Sequence, residues 1–475
     1  MTQPVEDLSH KHIQAAVGAL VGSAVGDALG APFEFKAAGL YASRFPAPVL
    51  GGIGEMVGGG GFNWAPGEFT DDTQMAIALS EAILAEAGTF DPEAVWEHFV
   101  AWSHSARDIG ITTRAALAGT DYTTAALLAH QSIGLSAGNG AVMRIAPIGI
   151  AGVRWGEHET VAIARQQASL THYDEAAGWG AAIVADLIRR LILGDNFESA
   201  LAAALRLPEQ PHRDVFCRML DSAWHPEDTP ELGNGSVWTC TAQAIWAVRS
   251  TSSFEQAVVA AVNLGDDTDT VAAVTGAIAG ALYGIQQIPS RWTAYLHGTV
   301  GQPDGTSRTY TCRDLQRLAR LLLGVPMREE VAPERAVGPR PVAGAVHASN
   351  LAGAIDSTKS MAVVSLCRGN GNFDGHKHRR ELYLIDAAND ENPHLWTVVN
   401  DAVQSIDAFL NDGFDVVVHC HGGRSRTGLV LKAWYMRHHQ ATHDEADQWL
   451  NDRWELYSTW NDRFTDFLDD EWSAQ

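Results

Sequence analysis

Two short stretches of this sequence concentrate carboxylate and hydroxyl oxygens at the heads of predicted helices. They are Thr70-Asp71-Asp72-Thr73 and Gly265-Asp266-Asp267-Thr268-Asp269-Thr270. One side-chain oxygen is enough to cap a helix, whereas adjacent carboxylates repel each other and, once buried, need a cation or a proton. Oxygen-only ligand sets suit Mg²⁺, Mn²⁺ or Ca²⁺, and no nearby Cys or His indicates zinc. The alternative is that both stretches are ordinary helix caps, with their acids at the positive end of a helix dipole.

A further carboxylate, Glu34, follows the motif Gly26-Asp27-Ala28-Leu29-Gly30, and Pro32 ends the helix just before it. Two cations could hold hydroxyl groups and activate water. Cleavage of glycosidic bonds is commonly carried out by positioned carboxylates. Glu34 is therefore a candidate acid or base, and the alternative is an ordinary surface glutamate.

The last third of the chain carries a second chemistry, centred on Cys420. Residues 415–420 read DVVVHC, a predicted buried strand that runs directly into a turn and then a helix. The turn consists of His421, Gly422, Gly423, Arg424, Ser425, Arg426 and Thr427. A phosphate bound there would meet successive backbone N–H groups and a helix N-terminus, and the same environment would favour a thiolate nucleophile at Cys420. Arg426 could hold two phosphate oxygens, and Thr427 could donate a hydrogen bond to the sulfur.

Length and composition limit the classes of protein that this chain can represent. A length of 475 residues predicts two or three domains, and 46% hydrophobic with 19% charged residues is typical of a globular protein. The net charge of -24 argues against a nucleic-acid-binding function. The five cysteines form no CxxC pair, the N-terminus is polar, and no uninterrupted apolar run approaches the ~20 residues of a membrane span. These features predict a reduced, cytoplasmic protein without membrane segments.

The pattern of residues divides the chain near residue 325. Helices are predicted at 71–86, 92–103, 176–193, 197–205, 236–250, 254–262 and 270–284, so the region up to about Leu323 is expected to be all-α. Within residues 12–29, glycines recur every four residues, which permits close contact with another helix. Residues 325–345 form a proline-rich linker. Beyond it, strands at 361–366, 382–385 and 415–419 and helices at 396–410, 428–439 and 443–454 predict an α/β domain.

Six motifs in order give residues 13–323 a clear resemblance to the ADP-ribosylglycohydrolase family, which includes the dinitrogenase reductase-activating glycohydrolases. They are Gly26–Gly30 with Glu34, Phe69–Thr73, Asp108–Gly110, Gly138–Arg144, Leu170–His172 and Gly265–Thr270. The resemblance implies an all-α orthogonal helical domain, at residues 12–324, with two Mg²⁺ or Mn²⁺ ions. It implies removal of ADP-ribose from a modified protein side chain or a small acceptor.

The same resemblance assigns roles to individual residues. The metal ligands would be Thr70, Asp71, Asp72, Asp267, Asp269 and Thr270. Glu34 and Asp108 would lie near the ribose and the scissile bond. The diphosphate would be bound by backbone N–H groups of the loop formed by Gly138, Asn139, Gly140, Ala141 and Met143, with His172 against the same moiety. Asp266 occupies a position where family members often have glycine.

The segment around Cys420 resembles the dual-specificity, cysteine-dependent protein phosphatases, over residues 346–472. In that family an aspartate on an upstream loop protonates the leaving oxygen. Asp390 is the predicted acid, and Asp386 is the alternative. The expected substrate is a phosphate monoester, hydrolysed through a phosphocysteine.

The sequence therefore predicts a bifunctional hydrolase with a metal-dependent ADP-ribosylglycohydrolase domain and a cysteine-dependent phosphatase domain. Two other hypotheses remain open for the first domain. It could bind ADP-ribose without cleaving it, or its metal site could only stabilise the fold.

Overall fold

A computed structural model describes residues 8–229, 233–326, 331, 333–389 and 391–472 of the chain. The described residues fall into two compact units. The first comprises those of Met1–Ala47, Met56–Ile288 and Tyr295–Met327. The second comprises those of Pro48–Glu55, Pro289–Ala294 and Arg328–Gln475, so two short segments from earlier in the chain belong to it.

The first unit is rich in helices, as predicted. Its α-helices are α1 (His10–Gly30), α2 (Leu40–Arg44), α3 (Asp71–Ala85), α4 (Pro92–Ser103), α5 (Ile111–Leu117), α6 (Ala125–Ile133), α7 (Ala146–Trp155), α8 (Glu157–Ser169), α9 (Glu175–Ile192), α10 (Phe197–Ala204), α11 (His212–Met219), α12 (Val237–Arg249), α13 (Phe254–Val262), α14 (Thr268–Tyr283) and α16 (Cys312–Leu322). An antiparallel hairpin of β1 (His297–Gly301) and β2 (Ser307–Thr311) adds a feature that the sequence analysis did not predict.

The centre of this unit is the contact between α1 and α14, whose backbones touch along most of their length. A methyl group added at Gly22 would lie 2.4 Å from the carbonyl oxygen of Gly276, and one at Gly26 would lie 1.9 Å from that of Ala272. No side chain fits at such distances, so glycine is required where the two helices meet. The four-residue glycine repeat is thus confirmed as a close helix contact.

The helix α1 and the turn after it, His10–Phe33, are long and apolar enough to cross a membrane, with a mean hydropathy of 1.4 over the most apolar window. All of that window is buried inside the first unit. The central helix of a globular core has the same length and composition.

The second unit is an α/β domain, as predicted. Its strands are β3 (Arg340–Ala343), β4 (Val346–Asn350), β5 (Ala362–Ser365), β6 (Arg379–Glu381) and β7 (Val416–Cys420), in the spatial order β3-β4-β7-β5-β6. Among the described strand pairs of this sheet, β3–β4 is antiparallel and the other three are parallel. Its helices are α15 (Ser290–Thr293), α17 (Leu351–Ile355), α18 (Leu395–Asn411), α19 (Ser425–His439), α20 (His443–Asn451) and α21 (Asp462–Asp466), followed by a π-helical turn (Phe467–Trp472).

One strand prediction was wrong. Residues 382–385 were predicted as a strand from their apolar character, but the strand of this region is β6, which ends at Glu381. β6 pairs with β5 in parallel, with Val364 opposite Arg380. Arg380 is buried, and its guanidinium donates to backbone carbonyl oxygens of Leu50 and Gly52. These backbone acceptors allow a charged residue to be buried in β6. Because β6 is not hydrophobic, a search for apolar runs does not find it.

We expect Gly22→Ala to destabilise the first unit by about 1–3 kcal/mol or more, because the added methyl group overlaps the backbone of α14. The measurement is the midpoint of urea or thermal unfolding of the full chain. Gly178→Ala in α9 is the matched control, since its methyl group would lie 3.6 Å from Arg165, at ordinary contact distance. That variant should be neutral or gain up to about 1 kcal/mol from the higher helix propensity of alanine. Equal shifts in both variants would contradict the close contact.

Candidate active sites

Five carboxylates from separate parts of the first unit converge on one place. Asp27 near the end of α1, Asp72 in the first turn of α3 and Asp269 in the first turn of α14 have oxygens within 4.8 Å of one another. Glu34, Asp108 and Asp269 form a second group with the same spacing. Asp269 belongs to both groups, so the two clusters are continuous. This arrangement is suited to two cations that share a ligand.

Asp27 is a member of this cluster that the sequence analysis did not single out, although it lies inside the Gly26–Gly30 motif. Its carboxylate accepts hydrogen bonds from the backbone N–H of Thr70 at 2.9 Å, from the N–H of Thr73 at 3.1 Å and from the Thr73 hydroxyl at 2.5 Å. Asp27 therefore joins α1 to the N-terminus of α3. Thr270 ties α14 to the same helix, because its hydroxyl donates to Asp72 at 3.2 Å.

Several buried oxygens in the cluster have no hydrogen-bond partner among the described residues. They are the Thr70 hydroxyl, one oxygen of Asp72 and one oxygen of Glu34. Oxygen atoms that are buried, unpaired and close together are costly unless a cation or a proton is present. These residues therefore fit a hard divalent cation such as Mg²⁺ or Mn²⁺.

Burial and mutual repulsion shift the titration of these groups. Burial, reinforced by Asp108, raises the pKa of Glu34 to about 9. Burial also raises the pKa values of Asp71, Asp72 and Asp269 well above their usual range, and neighbouring carboxylates add to the effect. The pKa of Asp108 rises to about 6, mainly from burial. In the absence of a cation, Glu34 therefore retains its proton at neutral pH, and the buried aspartates bind protons more tightly than exposed ones do.

A buried asparagine that the sequence analysis missed positions the head of α14. Asn234 accepts a hydrogen bond from the backbone N–H of Asp267 at 3.0 Å and donates to Gly265 O at 3.0 Å and to Gln243 at 3.1 Å. Asn139 completes the arrangement, since its amide donates to Asp267 Oδ2 at 2.8 Å and to Asn234 O at 3.2 Å. Nothing in the local sequence around Asn234 signals this role, because its partners come from other segments.

The loop predicted to bind a diphosphate uses part of its backbone internally. The N–H of Asn139 donates to Gly235 O, and those of Val142 and Met143 donate to Asn139 O. Within the predicted loop, the N–H groups of Gly138, Gly140 and Ala141 remain candidates for hydrogen bonds to a bound diphosphate. The loop itself forms a 3-10 turn over Asn139–Ala141.

His172 packs against this loop and leaves no room for a side chain at Gly140. A methyl group added at Gly140 would lie 2.9 Å from the imidazole ring of His172. Burial, with the charge of Arg144, lowers the pKa of His172 to about 3, so the ring is neutral. Its Nδ1 lies 2.9 Å from the hydroxyl of Thr171, which also accepts from Arg144. His172 therefore has a fixed orientation beneath the loop.

Asp266 has a backbone conformation that glycine adopts more readily than aspartate does. Its φ of 58° lies in the left-handed region, and its backbone pairs with that of Lys36. The side chain is exposed, and its charge adds only a minor increase to the pKa of Asp267.

In the second unit, the predicted strand, turn and helix around Cys420 are all present. Cys420 ends β7 and is 1% exposed, and α19 begins at Ser425. Gly423 has a φ of +68°, and its carbonyl oxygen accepts a hydrogen bond from the Trp454 indole at 2.6 Å. The loop therefore has a defined shape with the thiol at its base.

Two buried donors of this loop have no hydrogen-bond partner among the described residues, namely Nε of Arg426 and the hydroxyl of Thr427. The other side of the Arg426 guanidinium is anchored, since Nη1 donates to Leu366 O at 2.9 Å and to Leu384 O at 3.2 Å. An anchored guanidinium with an unpaired donor is suited to binding an oxyanion.

The predicted acid Asp390 lies outside the described residues. The alternative, Asp386, is described, and its carboxylate lies 3.6 Å from Nε of Arg426.

Comparison with known proteins identifies two family domains in this chain. Residues 8–331, more than half of the chain, match the family model for ADP-ribosylglycohydrolase. The chain belongs to the ADP-ribosylglycohydrolase family. Residues 354–468 match the model for the catalytic domain of dual specificity phosphatases, so this family member is a hydrolase with a second, phosphatase-like domain.

Relatives of this glycohydrolase domain include the ADP-ribosylarginine hydrolase Tri1 of Serratia proteamaculans, which is 35% identical over 59% of this chain and 74% of its own length. The ADP-ribosyl-[dinitrogen reductase] glycohydrolase of Rhodospirillum rubrum is 34% identical over 59% of this chain and 90% of its own length. A solved structure described as an ADP-ribosylglycohydrolase-related protein complex is 30% identical, with a TM-score of 0.52 over 67% of this chain and 99% of that one.

The metal-free glycohydrolase domain should lose stability as pH rises from 3.8 towards about 9. The pKa of Asp27 and Asp108 rises from 3.8 to about 6, and that of Glu34 from 4.5 to about 9, so the folded state binds more protons than the unfolded state. The stabilisation is complete below the unfolded pKa values and is lost as pH rises through the folded ones. Thermal unfolding across this range, in EDTA and in Mg²⁺, measures the effect. Mg²⁺ should reduce the pH dependence, and Glu34→Gln should remove part of it; a flat profile in EDTA would contradict the shifts.

Asn234→Ala should weaken cation binding by about tenfold or more, because loss of a residue that orients a ligand typically costs 10–100-fold in metal affinity. The measurement is a Mn²⁺ titration followed by calorimetry and by thermal stabilisation. Asn263→Ala is the matched control, since Asn263 contacts Ala42 and Val259 rather than Asp267. If the two variants bind Mn²⁺ equally well, Asn234 has no role in positioning Asp267.

Proposed function

We propose that the first domain is a metal-dependent hydrolase that removes ADP-ribose from modified protein side chains, with arginine as the leading acceptor. The observation that carries this proposal is the pair of carboxylate clusters that share Asp269. The names of the relatives from Serratia proteamaculans and Rhodospirillum rubrum support an arginine or protein-linked substrate. The proposed domain bounds are residues 12–324 for this activity and 346–472 for the phosphatase, and β3 (Arg340–Ala343), inside the predicted linker 325–345, pairs with β4 of the second unit.

The proposed ligands of two Mg²⁺ or Mn²⁺ ions are Thr70, Asp71, Asp72, Asp267, Asp269 and Thr270. Of these, Asp72 and Asp269 lie in one carboxylate group with Asp27. When bound, the cations would polarise ribose hydroxyls and a water molecule. They would also offset the repulsion between carboxylates that burial otherwise makes costly.

Glu34 and Asp108 lie at the second cluster and are the proposed acid–base groups. Hydrolysis adds a water oxygen to the anomeric carbon and breaks the bond from that carbon to the guanidine nitrogen. One carboxylate accepts a proton from the water, and the departing nitrogen takes up a proton. Because Glu34 is buried with one unpaired oxygen, its protonation state is sensitive to what binds beside it.

The second domain is proposed to hydrolyse a phosphate monoester. The Cys420 thiolate would attack phosphorus, the phosphorus–oxygen bond to the leaving group would break, and the proposed acid Asp390 would protonate that oxygen. Water would then attack the phosphocysteine, which releases inorganic phosphate and restores the thiolate. Arg426 would bind the phosphoryl oxygens with guanidinium N–H groups other than those of Nη1, which is bound to Leu366 O and Leu384 O.

A cytoplasmic location is also proposed, because a nucleophilic thiol needs a reducing environment. None of the five cysteines, all of which lie among the described residues, forms a disulfide bond, which agrees with this proposal.

Two active-site variants of the full chain test the proposal. Free ADP-ribose would be measured after incubation with an ADP-ribosylarginine protein and an ADP-ribosylserine peptide, each with Mg²⁺, Mn²⁺ or EDTA. Hydrolysis of an aryl phosphate would be measured in parallel. We expect Asp269→Ala to abolish metal-dependent ADP-ribose release and leave phosphatase activity intact, and Cys420→Ser to do the reverse.

Three results would contradict the proposal in different ways. Binding of ADP-ribose without release from either substrate would identify the first domain as a binding module. Phosphatase turnover that survives in Cys420→Ser would remove that thiol from the mechanism. Loss of both activities in one variant would show that the two sites are not independent.

A further inference from the structure

Asp386 contacts the phosphate-binding loop and the C-terminal segment of the second unit. Its Oδ2 accepts a hydrogen bond from the Ser425 hydroxyl at 2.5 Å and lies 3.6 Å from Nε of Arg426. Its Oδ1 accepts a hydrogen bond from the Asn461 amide at 3.2 Å. Both carboxylate oxygens of Asp386 are therefore engaged by protein groups.

The contact with Arg426 belongs to a wider set that fixes the guanidinium. Nη1 donates to the carbonyl oxygens of Leu366 and Leu384, which lie just beyond β5 and β6. The carboxylate of Asp386 approaches from the Nε side, where Arg426 is 11% exposed and Asp386 is 24% exposed. Backbone acceptors and a carboxylate together leave the guanidinium little freedom to rotate.

Asn461 holds Asp386 from the other side. It is 2% exposed, and its amide donates to Asp386 Oδ1 and to Ala387 O, each at 3.2 Å. Its own oxygen accepts the backbone N–H of Phe464 at the start of α21. The position of Asp386 is therefore tied to the packing of the C-terminal helix.

We propose that Asp386 is a positioning residue for Arg426 and Ser425 and is not the proton donor of the phosphatase reaction, and that Asn461 fixes Asp386 in this role. A proton donor must reach the leaving oxygen of the substrate. The oxygens of Asp386 instead face the arginine, the serine and Asn461. This inference rests on the proposed phosphatase function, and it leaves the acid role to a different group, for which Asp390 is the candidate from the sequence.

A leaving-group series in the full chain separates the two roles. Loss of a general acid slows poor leaving groups far more than good ones, because a poor leaving group departs as an unstable oxyanion without a proton. Loss of a residue that positions Arg426 weakens phosphate binding and slows all esters alike, since every ester presents the same phosphoryl group. The assays are kcat/KM for aryl phosphates of increasing leaving-group pKa, and the affinity for inorganic phosphate measured by calorimetry.

For Asp386→Asn we expect inorganic phosphate to bind about tenfold more weakly or worse, the size expected for loss of a charge-assisted contact. We expect kcat/KM to fall by a similar factor across the whole series. Asn461→Ala should shift both quantities in the same direction by a smaller factor. Asp444→Asn, an exposed aspartate on α20, should change neither. A steeper leaving-group dependence with unchanged phosphate affinity in Asp386→Asn would overturn the proposal.

Two further measurements make the outcome decisive. If Asp386→Asn fails to fold, Ser425→Ala removes the same hydrogen bond from the loop side and should weaken phosphate binding in the same way; unchanged affinity there would count against the proposal. A wild-type chain that binds phosphate without hydrolysing any ester would contradict the proposed phosphatase function, and phosphate affinity would still test Asp386. A wild-type chain that does not bind phosphate would contradict both.

Discussion

The glycohydrolase site depends on the backbone contact between α1 and α14. Where glycine meets glycine or alanine, the two helices approach so closely that no methyl group fits between them. At the end of this contact, Gly30 lies against the backbone of Asp269, and the hydroxyl of Thr268 donates to Gly30 O at 3.0 Å. The distance between the helices therefore sets the distance between Asp27 and Asp269. A wider contact, such as one between leucines, would place these carboxylates too far apart to share a ligand.

Bringing the carboxylates together has an electrostatic cost that the fold offsets only in part. The N-termini of α3 and α14 direct N–H groups and threonine hydroxyls at Asp27, Asp72 and Asp269, and Asn139 donates to Asp267. Even so, burial raises the pKa of every one of these aspartates. The same geometry that positions the groups for chemistry leaves them incompletely stabilised, which is the expected condition of a site built to receive a cation.

The parts of this structure that were predictable from the sequence are those whose physical cause is local. Adjacent aspartates at the head of a helix, a strand that runs into a glycine-rich turn, and a four-residue glycine repeat are all visible in one short stretch. Asn234 and Asp27 were missed because their roles arise from partners in distant segments. The strand at Arg379–Glu381 was missed because its buried side chain, that of Arg380, is accommodated by carbonyl groups of Leu50 and Gly52, which are distant in sequence. A pattern of hydrophobic residues does not show that a buried charge is paired with backbone groups from another segment.

The unpaired buried atoms of the two sites differ in a way that indicates the charge of each ligand. In the first unit, the unpaired atoms of the cluster are carboxylate oxygens of Glu34 and Asp72 and a hydroxyl, all of which can accept. In the second unit, the unpaired atoms of the loop are the Nε of Arg426 and a hydroxyl, which can donate. Since folding normally pairs buried polar groups, unpaired carboxylate oxygens grouped in one place favour a cation there, and an unpaired guanidinium N–H favours an anion. The cation and the phosphate proposed above would satisfy both sets with the residues that the chain already places there.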